Sequence, residues 1–230
     1  MKNAALTSAA VNDAGPDSAA LHNAGLSNPV IENMLSRSAT KYYDTAAALT
    51  DQQIRDLVRI GTSAPTSFHL QNWRFIAVRS PEAKARLLPI AWNQPAITDA
   101  AVTFIVVGQM ADASVVPHRL GPVVEAGIMP AHLIPEWENP ARGLYDDNVQ
   151  LQRDEAIRTA TFGAAAIIYA ARSLGWGSTP MIGFDFDAVA REFGLAANEI
   201  PVMLLSVGPE RPGNWPQKPR LPVHDVLEFA

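Results

Sequence analysis

The chain has 230 residues, 48% of them hydrophobic and 18% charged, a length and balance that suit one large globular domain with an ample core. A formal net charge of −5 with no basic stripe speaks against a nucleic-acid partner, and the lack of cysteine excludes disulfides, thiolate catalysis, iron–sulfur clusters and Cys-ligated zinc. His22, His69, His118, His132 and His224 are scattered without a metal-binding spacing, so no metal is expected.

Residues 1–27 are rich in Ala, Ser, Asn and Gly and lack the apolar run of a secretory signal; they read as a disordered tail. Apolar stretches further on are broken well short of a membrane span, which predicts a cytoplasmic protein with no membrane partner. Asn28-Pro29 reads as an N-cap and first helical position, opening a helix that ends just before Arg37. Thr50 and Gln53 form a capping box for a helix that keeps its period to residue 61. Residues 63–67 form a loop, 75–78 a short buried strand, and Ser80-Pro81 the start of a helix running to about residue 88. Residues 102–107 (VTFIVV) and 201–208 (PVMLLSVG) are apolar on both faces and read as central strands.

Residues 111–150 carry Pro117, Pro122, Pro130, Pro135 and Pro140 and read as an irregular lid or excursion. The longest helix is expected over residues 151–174, with a second half, 160–171, apolar almost all round. Such a helix is either central to the core or part of a subunit interface. Residues 185–194 read as a short helix capped by Asp185, following the segment GWGSTPMIGFD at 175–185. No repeat or linker divides residues 28–230, which are taken as a single domain.

Two basic clusters stand near opposite ends of the chain, RSATKYYD at 37–44 and KPRLP at 218–222. Arg and Lys in such clusters suit a phosphate, the one as a planar fork and the other as a point charge. Between them lie SAPTSFHLQNW at 63–73 and AWNQ at 91–94. In this order, with the 175–185 segment, the motifs resemble the FMN-dependent nitroreductase family over about residues 28–222. The sequence departs from that family's pattern at Asn72 in Gln71-Asn72-Trp73, at His69 and at Ile182.

The resemblance implies an α+β sandwich, a mainly antiparallel sheet flanked by helices in a domain-interlocked homodimer. It also implies FMN as cofactor, NADH or NADPH as electron donor, and a nitroaromatic, quinone or similar electron-poor small molecule as acceptor. By the same resemblance Arg37, Lys218 and Arg220 hold the FMN phosphate and ribityl chain, and Ser38 and Ala39 add donors along the turn. Lys41 would stabilise negative charge on the reduced ring at N1 and O2, and Asn93 would meet its pyrimidine edge. Pro180, Met181, Ile182 and Gly183 form the loop beside the ring, with the backbone N–H near Ile182 reaching N5. Pro65, Thr66, Ser67, His69 and Gln71 would contact FMN or substrate from the partner subunit. No catalytic acid–base pair is expected, because the flavin carries the hydride in a ping-pong cycle.

Ser38 and Lys41 also fit S-x-x-K, but its companion motifs are absent, and Pro180 breaks a G-x-G-x-x-G reading of 175–180. Different flavin chemistry on the same fold (dehalogenation, enal reduction or oxygen-dependent fragmentation) and a non-catalytic flavin carrier remain the alternatives.

Overall fold

Asn28 opens the described part of the chain, residues 28–230 of the computed structural model; the tail expected over residues 1–27 lies outside it. The Asn28 side chain accepts from the amides of Val30 (3.0 Å) and Ile31 (3.1 Å), and Pro29 takes the first position of helix α1, Pro29–Ser36. Thr50 and Gln53 close the capping box that starts α2, Asp51–Gly61. Both starts obey the same rule: the orphan N–H groups of a first turn need a side-chain acceptor.

The described residues fall into two compact units, one of Ala39–Asn214 and the other of 28–38 together with Trp215–Ala230. The larger unit contains a four-stranded sheet in the order β1-β2-β4-β3, antiparallel at every pairing. Its strands are β1 (Trp73–Val78), β2 (Val102–Gln109), β3 (Trp176–Met181) and β4 (Glu199–Pro209).

Successive side chains of a strand point to opposite faces, and β2 uses both. Val102, Phe104 and Val106 join Leu205 and Val207 in a core roofed by α2 and by α7, Val149–Ser173. Ile105, Val107 and Leu204 turn the other way, into a core closed by α3 (Pro81–Ile90), α4 (Pro95–Asp99) and α8 (Phe186–Glu192). The α+β sandwich and the central positions of β2 and β4 are as the sequence predicts.

Three expectations need correction. Residues 111–150 are not irregular: they form α5 (Val116–Glu125) and α6 (Ile134–Tyr145), each with a short 3-10 turn before it. Pro117 and Pro135 sit in the first helical turn, where a missing N–H costs nothing, so they start helices rather than break them. The pair builds its own apolar centre from Leu70, Ala111, Val116, Leu120, Ala141 and Tyr145. Residues 176–181 are strand β3, including Pro180 and Met181, which the resemblance implies as loop; the strand lies at the sheet edge, where Pro180 is tolerated because only one side needs ladder bonds. Helix α7 is not buried all round in the chain: Ala156, Ala160, Ala164 and Ile167 face the core, while Phe162 is 48% exposed.

At the end of the sheet nearest the β1 start, Arg74 grips Glu199 with Nε (2.8 Å) and Nη2 (2.6 Å). The Ala196 amide (2.9 Å) and Gln109 (3.1 Å) complete the shell. Burial pushes this carboxyl up, but the Arg74 fork and the other donors outweigh it and hold the group below the ordinary carboxylate range. A depressed carboxyl contributes stability that is present above the unfolded value, about 4.3, and is lost as pH falls through the folded value. Glu199→Gln is therefore expected to cost about 1.5–3 kcal/mol at neutral pH. It should also flatten the loss of stability below about pH 4. Urea melts at pH 7 and pH 3.5 check both, and an unchanged acid slope refutes the assignment.

Candidate functional site

Within the smaller unit, the two distant basic clusters meet. Arg37, the C-cap of α1, donates from Nη2 to Gln217 Oε1 at 3.4 Å, and Arg220 donates from Nη2 to the same oxygen at 3.1 Å. Lys218 sets its ammonium 5.7 Å from the centre of the Trp215 ring, a cation–π contact. Ser38 is half-buried, directly after Arg37. Sequence reasoning found Arg37, Lys218 and Arg220 and missed Gln217, whose only signal was its place beside the KPR run.

Lys41 lies in the larger unit, in a segment laid along the edge strand β3. Ala39 forms a parallel bridge with Ser178, and the Thr40 amide donates to the Ser178 carbonyl at 3.1 Å. A buried polar clasp fastens this segment. Thr40 donates to Glu210, Thr179 donates to the Thr40 carbonyl, and the Tyr43 hydroxyl lies 3.0 Å from Thr179 Oγ1 and 3.2 Å from the Ser206 carbonyl. Burial pushes the Tyr43 phenol far above its ordinary value, and the nearby Glu210 carboxylate adds to the effect, so it stays a neutral donor. Gly177 makes room, since a Cβ there would collide with Thr40 Oγ1 and the Glu210 side chain.

Asn214 completes the clasp. Its Oδ1 accepts from the Lys41 and Tyr42 amides, both at 2.8 Å, and its Nδ2 donates to the carbonyls of Tyr42 (2.9 Å) and Arg211 (3.1 Å). Lys41 Nζ and the Arg211 guanidinium stand 5.1 Å and 5.3 Å from the centre of the Tyr42 ring. The backbone carrying Lys41 is thus fixed while its side chain reaches solvent. Asn214 was not found from sequence, since a single amide after Gly213 reads only as a turn.

A second cluster joins the 91–94 turn to the end of β3. Pro180 and Met181 belong to the strand, and the bend itself is Ile182-Gly183, where the Phe184 amide donates to the Ile182 carbonyl at 3.1 Å. Gln94 Nε2 donates to the Gly183 carbonyl at 2.6 Å, and a Cβ at 183 would lie 3.0 Å from Trp92 Cε3. Gly183 therefore serves the close approach of the Trp92 ring. Ile182 is 74% exposed and Trp92 66% exposed, and Asn93 beside it is exposed with its amide bonded to the Leu88 carbonyl.

The third cluster is the loop of residues 65–71. Pro65 is exposed, while Thr66, Ser67, His69 and Gln71 are half-buried. Thr66 Oγ1 accepts from the Gln71 amide at 3.3 Å, and Gln71 Nε2 lies 2.8 Å from His69 Nε2. The loop is anchored by fully buried Leu70 and by Phe68, whose ring meets Tyr145 of α6 edge-on at 6.2 Å. Tyr145 donates to buried Glu155 of α7 at 3.1 Å; burial raises its phenol, Ser67 opposes the shift, and the Glu155 charge adds to it. Asn72 donates to the Gln109 carbonyl at 2.8 Å and so ties the start of β1 to the end of β2.

Backbone strain concentrates in these two loops. Among the described residues six non-glycine positions have positive φ, and five of them are Phe68 (48°), His69 (57°), Gln71 (47°), Trp92 (52°) and Asn93 (55°). Side chains rarely accept this region, at a cost of order 1 kcal/mol or more each, and such residues gather at ligand sites. No group of three or more metal-ligating side chains occurs among the described residues, and no helix there is long and apolar enough to cross a membrane.

Residues 34–209 match the model of the Nitroreductase family. A Burkholderia lata protein named as a candidate NADH dehydrogenase/NAD(P)H nitroreductase is 32% identical over 215 residues, covering 92% of each chain. An enone reductase of CLA biosynthesis from Lactiplantibacillus plantarum is 22% identical over 188 residues, 80% of this chain and 86% of its own. Among solved structures, a candidate nitroreductase from Exiguobacterium sibiricum, in complex with FMN, superposes with a TM-score of 0.80 at 27% identity, over 89% of this chain and 98% of that one.

Asn214→Ala removes the four side-chain bonds that Asn214 makes, three of them to the backbone of Lys41 and Tyr42. Hydrogen exchange should quicken about 10- to 100-fold at the Lys41 and Tyr42 amides, the loss expected from one to two net hydrogen bonds. The amides of β2 should keep their protection, and equal quickening there would mean global destabilisation instead.

Proposed function

The chain belongs to the nitroreductase family, and from that premise we propose that it binds FMN and reduces an electron-poor small molecule at the expense of NADH or NADPH. The observation that carries the proposal is the meeting of Arg37 and Arg220 on one neutral oxygen beside Lys218. Two guanidiniums brought together in a chain of net charge −5, with Lys218 next to their shared acceptor in sequence, suit a phosphate dianion, to which charge-assisted bonds are short and strong.

In this reading Arg37, Ser38, Lys218 and Arg220 take the phosphate. Lys41 would offer its ammonium to the ring, where a cation stabilises added negative charge. Ala39 supplies main-chain contact along the same segment. Asn93 would meet the polar edge of the ring, and the Ile182 backbone N–H would bond to the ring, with Pro180, Met181 and Gly183 shaping the bend that carries it. Pro65, Thr66, Ser67, His69 and Gln71 line the acceptor side from the partner subunit. FMN, held by these residues, would supply the redox chemistry between the nicotinamide and the acceptor.

The homodimer this requires is supported by apolar surface that a single chain leaves open, Phe162 on α7 and Ile60 on α2, at 48% and 44% exposure. Phe162→Glu should shift the protein towards monomer in light-scattering chromatography. A dimer that persists unchanged removes α7 from the interface.

A second reading, reduction of an activated carbon–carbon double bond, is favoured by the likeness to the enone reductase. Anaerobic assays with a nitrofuran, a quinone and an enone distinguish the two. The first test precedes both: purified protein should be yellow, and NADH or NADPH should bleach it. Arg220→Ala should weaken FMN binding about 10- to 100-fold, the worth of a charge-assisted bond. A colourless wild type that ignores added FMN overturns the proposal.

A further inference from the structure

The two guanidiniums of Arg37 and Arg220 carry like charge, yet both donate to Gln217 Oε1, at 3.4 Å and 3.1 Å. They come from positions far apart in sequence, Arg37 from the end of α1 and Arg220 from the chain's last segment. Like charges this close repel, and an acceptor shared between them offsets part of that cost. Gln217 is half-buried and reaches both. The chemistry of that acceptor matters. A carboxylate in its place would also draw the two cations together, but it would neutralise one of them and repel an incoming anion. An amide oxygen accepts both bonds and itself adds no negative charge.

We infer that Gln217 is a positioning residue that holds Arg37 and Arg220 as a paired receptor for a phosphate dianion, and that it thereby sets the preference for FMN over riboflavin. The inference rests on the FMN reading above and adds to it a role for a neutral side chain. FMN and riboflavin share the ring and the ribityl chain and differ only in the phosphate, which carries about −1.5 to −2 charges at neutral pH if it titrates as other phosphomonoesters do. A residue that acts only through the arginine pair must therefore affect one ligand and leave the other alone.

The experiment compares FMN and riboflavin affinities by fluorescence titration of the full-length chain freed of flavin, for wild type, Gln217→Leu and Gln217→Glu. Gln217→Leu removes the shared acceptor and should weaken FMN about tenfold, the scale of a hydrogen bond to a charged group, while riboflavin affinity stays the same. Gln217→Glu keeps an acceptor but adds negative charge, so its FMN affinity should fall further than that of Gln217→Leu, again without change for riboflavin. The inference is overturned if the FMN-to-riboflavin ratio is unchanged in both variants, or if both ligands weaken together, as a purely structural role would have it. Wild-type protein that takes up FMN while the variants keep its ratio sinks the role of Gln217 alone. Wild-type protein that takes up no FMN sinks the cofactor reading itself.

Discussion

Burial of β2 and β4 on both faces is the constraint from which the rest of the larger unit follows. Every second side chain of β2 belongs to a different core, so Val102, Phe104 and Val106 need α2 and α7, while Ile105 and Val107 need α3, α4 and α8. A one-residue slip of register would exchange the two sets and leave each layer facing the wrong partner. With the centre fixed in this way, the sheet can afford departures at its margins: an edge strand containing proline, a bend at Ile182-Gly183, and two loops with left-handed side-chain residues.

Those margins are where the chemistry is proposed to lie; the β3 edge and the Ile182-Gly183 bend are held by polar bonds, whereas buried Leu70 anchors the 65–71 loop. Thr40, Tyr43, Thr179, Glu210 and Asn214 fasten the segment that bears Lys41. Gln94 fastens the Ile182-Gly183 bend to the 91–94 turn. Each fastening ties down the backbone of a proposed site residue while its side chain stays exposed. Such pre-organisation lowers the ordering cost of binding a cofactor.

Much of the fold was legible because its signals are local. Asn28 and Thr50 announce their helices within three residues, and the runs at 102–107 and 201–208 announce central strands. What was not legible depended on context. Pro180 and Gly177 argue against a strand unless β3 is known to lie at an edge, and of the prolines of 111–150, which read as breakers, Pro117 and Pro135 fall in first turns while Pro122 and Pro140 lie inside α5 and α6. The site divides in the same way. Arg37, Lys41, Lys218 and Arg220 stand in motifs, and the charged residues could be proposed from their order. Gln217 and Asn214 act across separations of 180 and 173 residues, and a lone amide in a turn carries no periodic mark.

Helices α5 and α6 own a separate apolar centre, and Leu70 is planted in it. The loop bearing Thr66, His69 and Gln71 is thereby moored to the excursion as well as to the sheet that follows it. Sequence drift across the excursion has a short mechanical route to that loop and a longer one to the sheet. Diversification of chemistry on this scaffold can proceed there, one hairpin at a time, while the strands beneath stay unaltered.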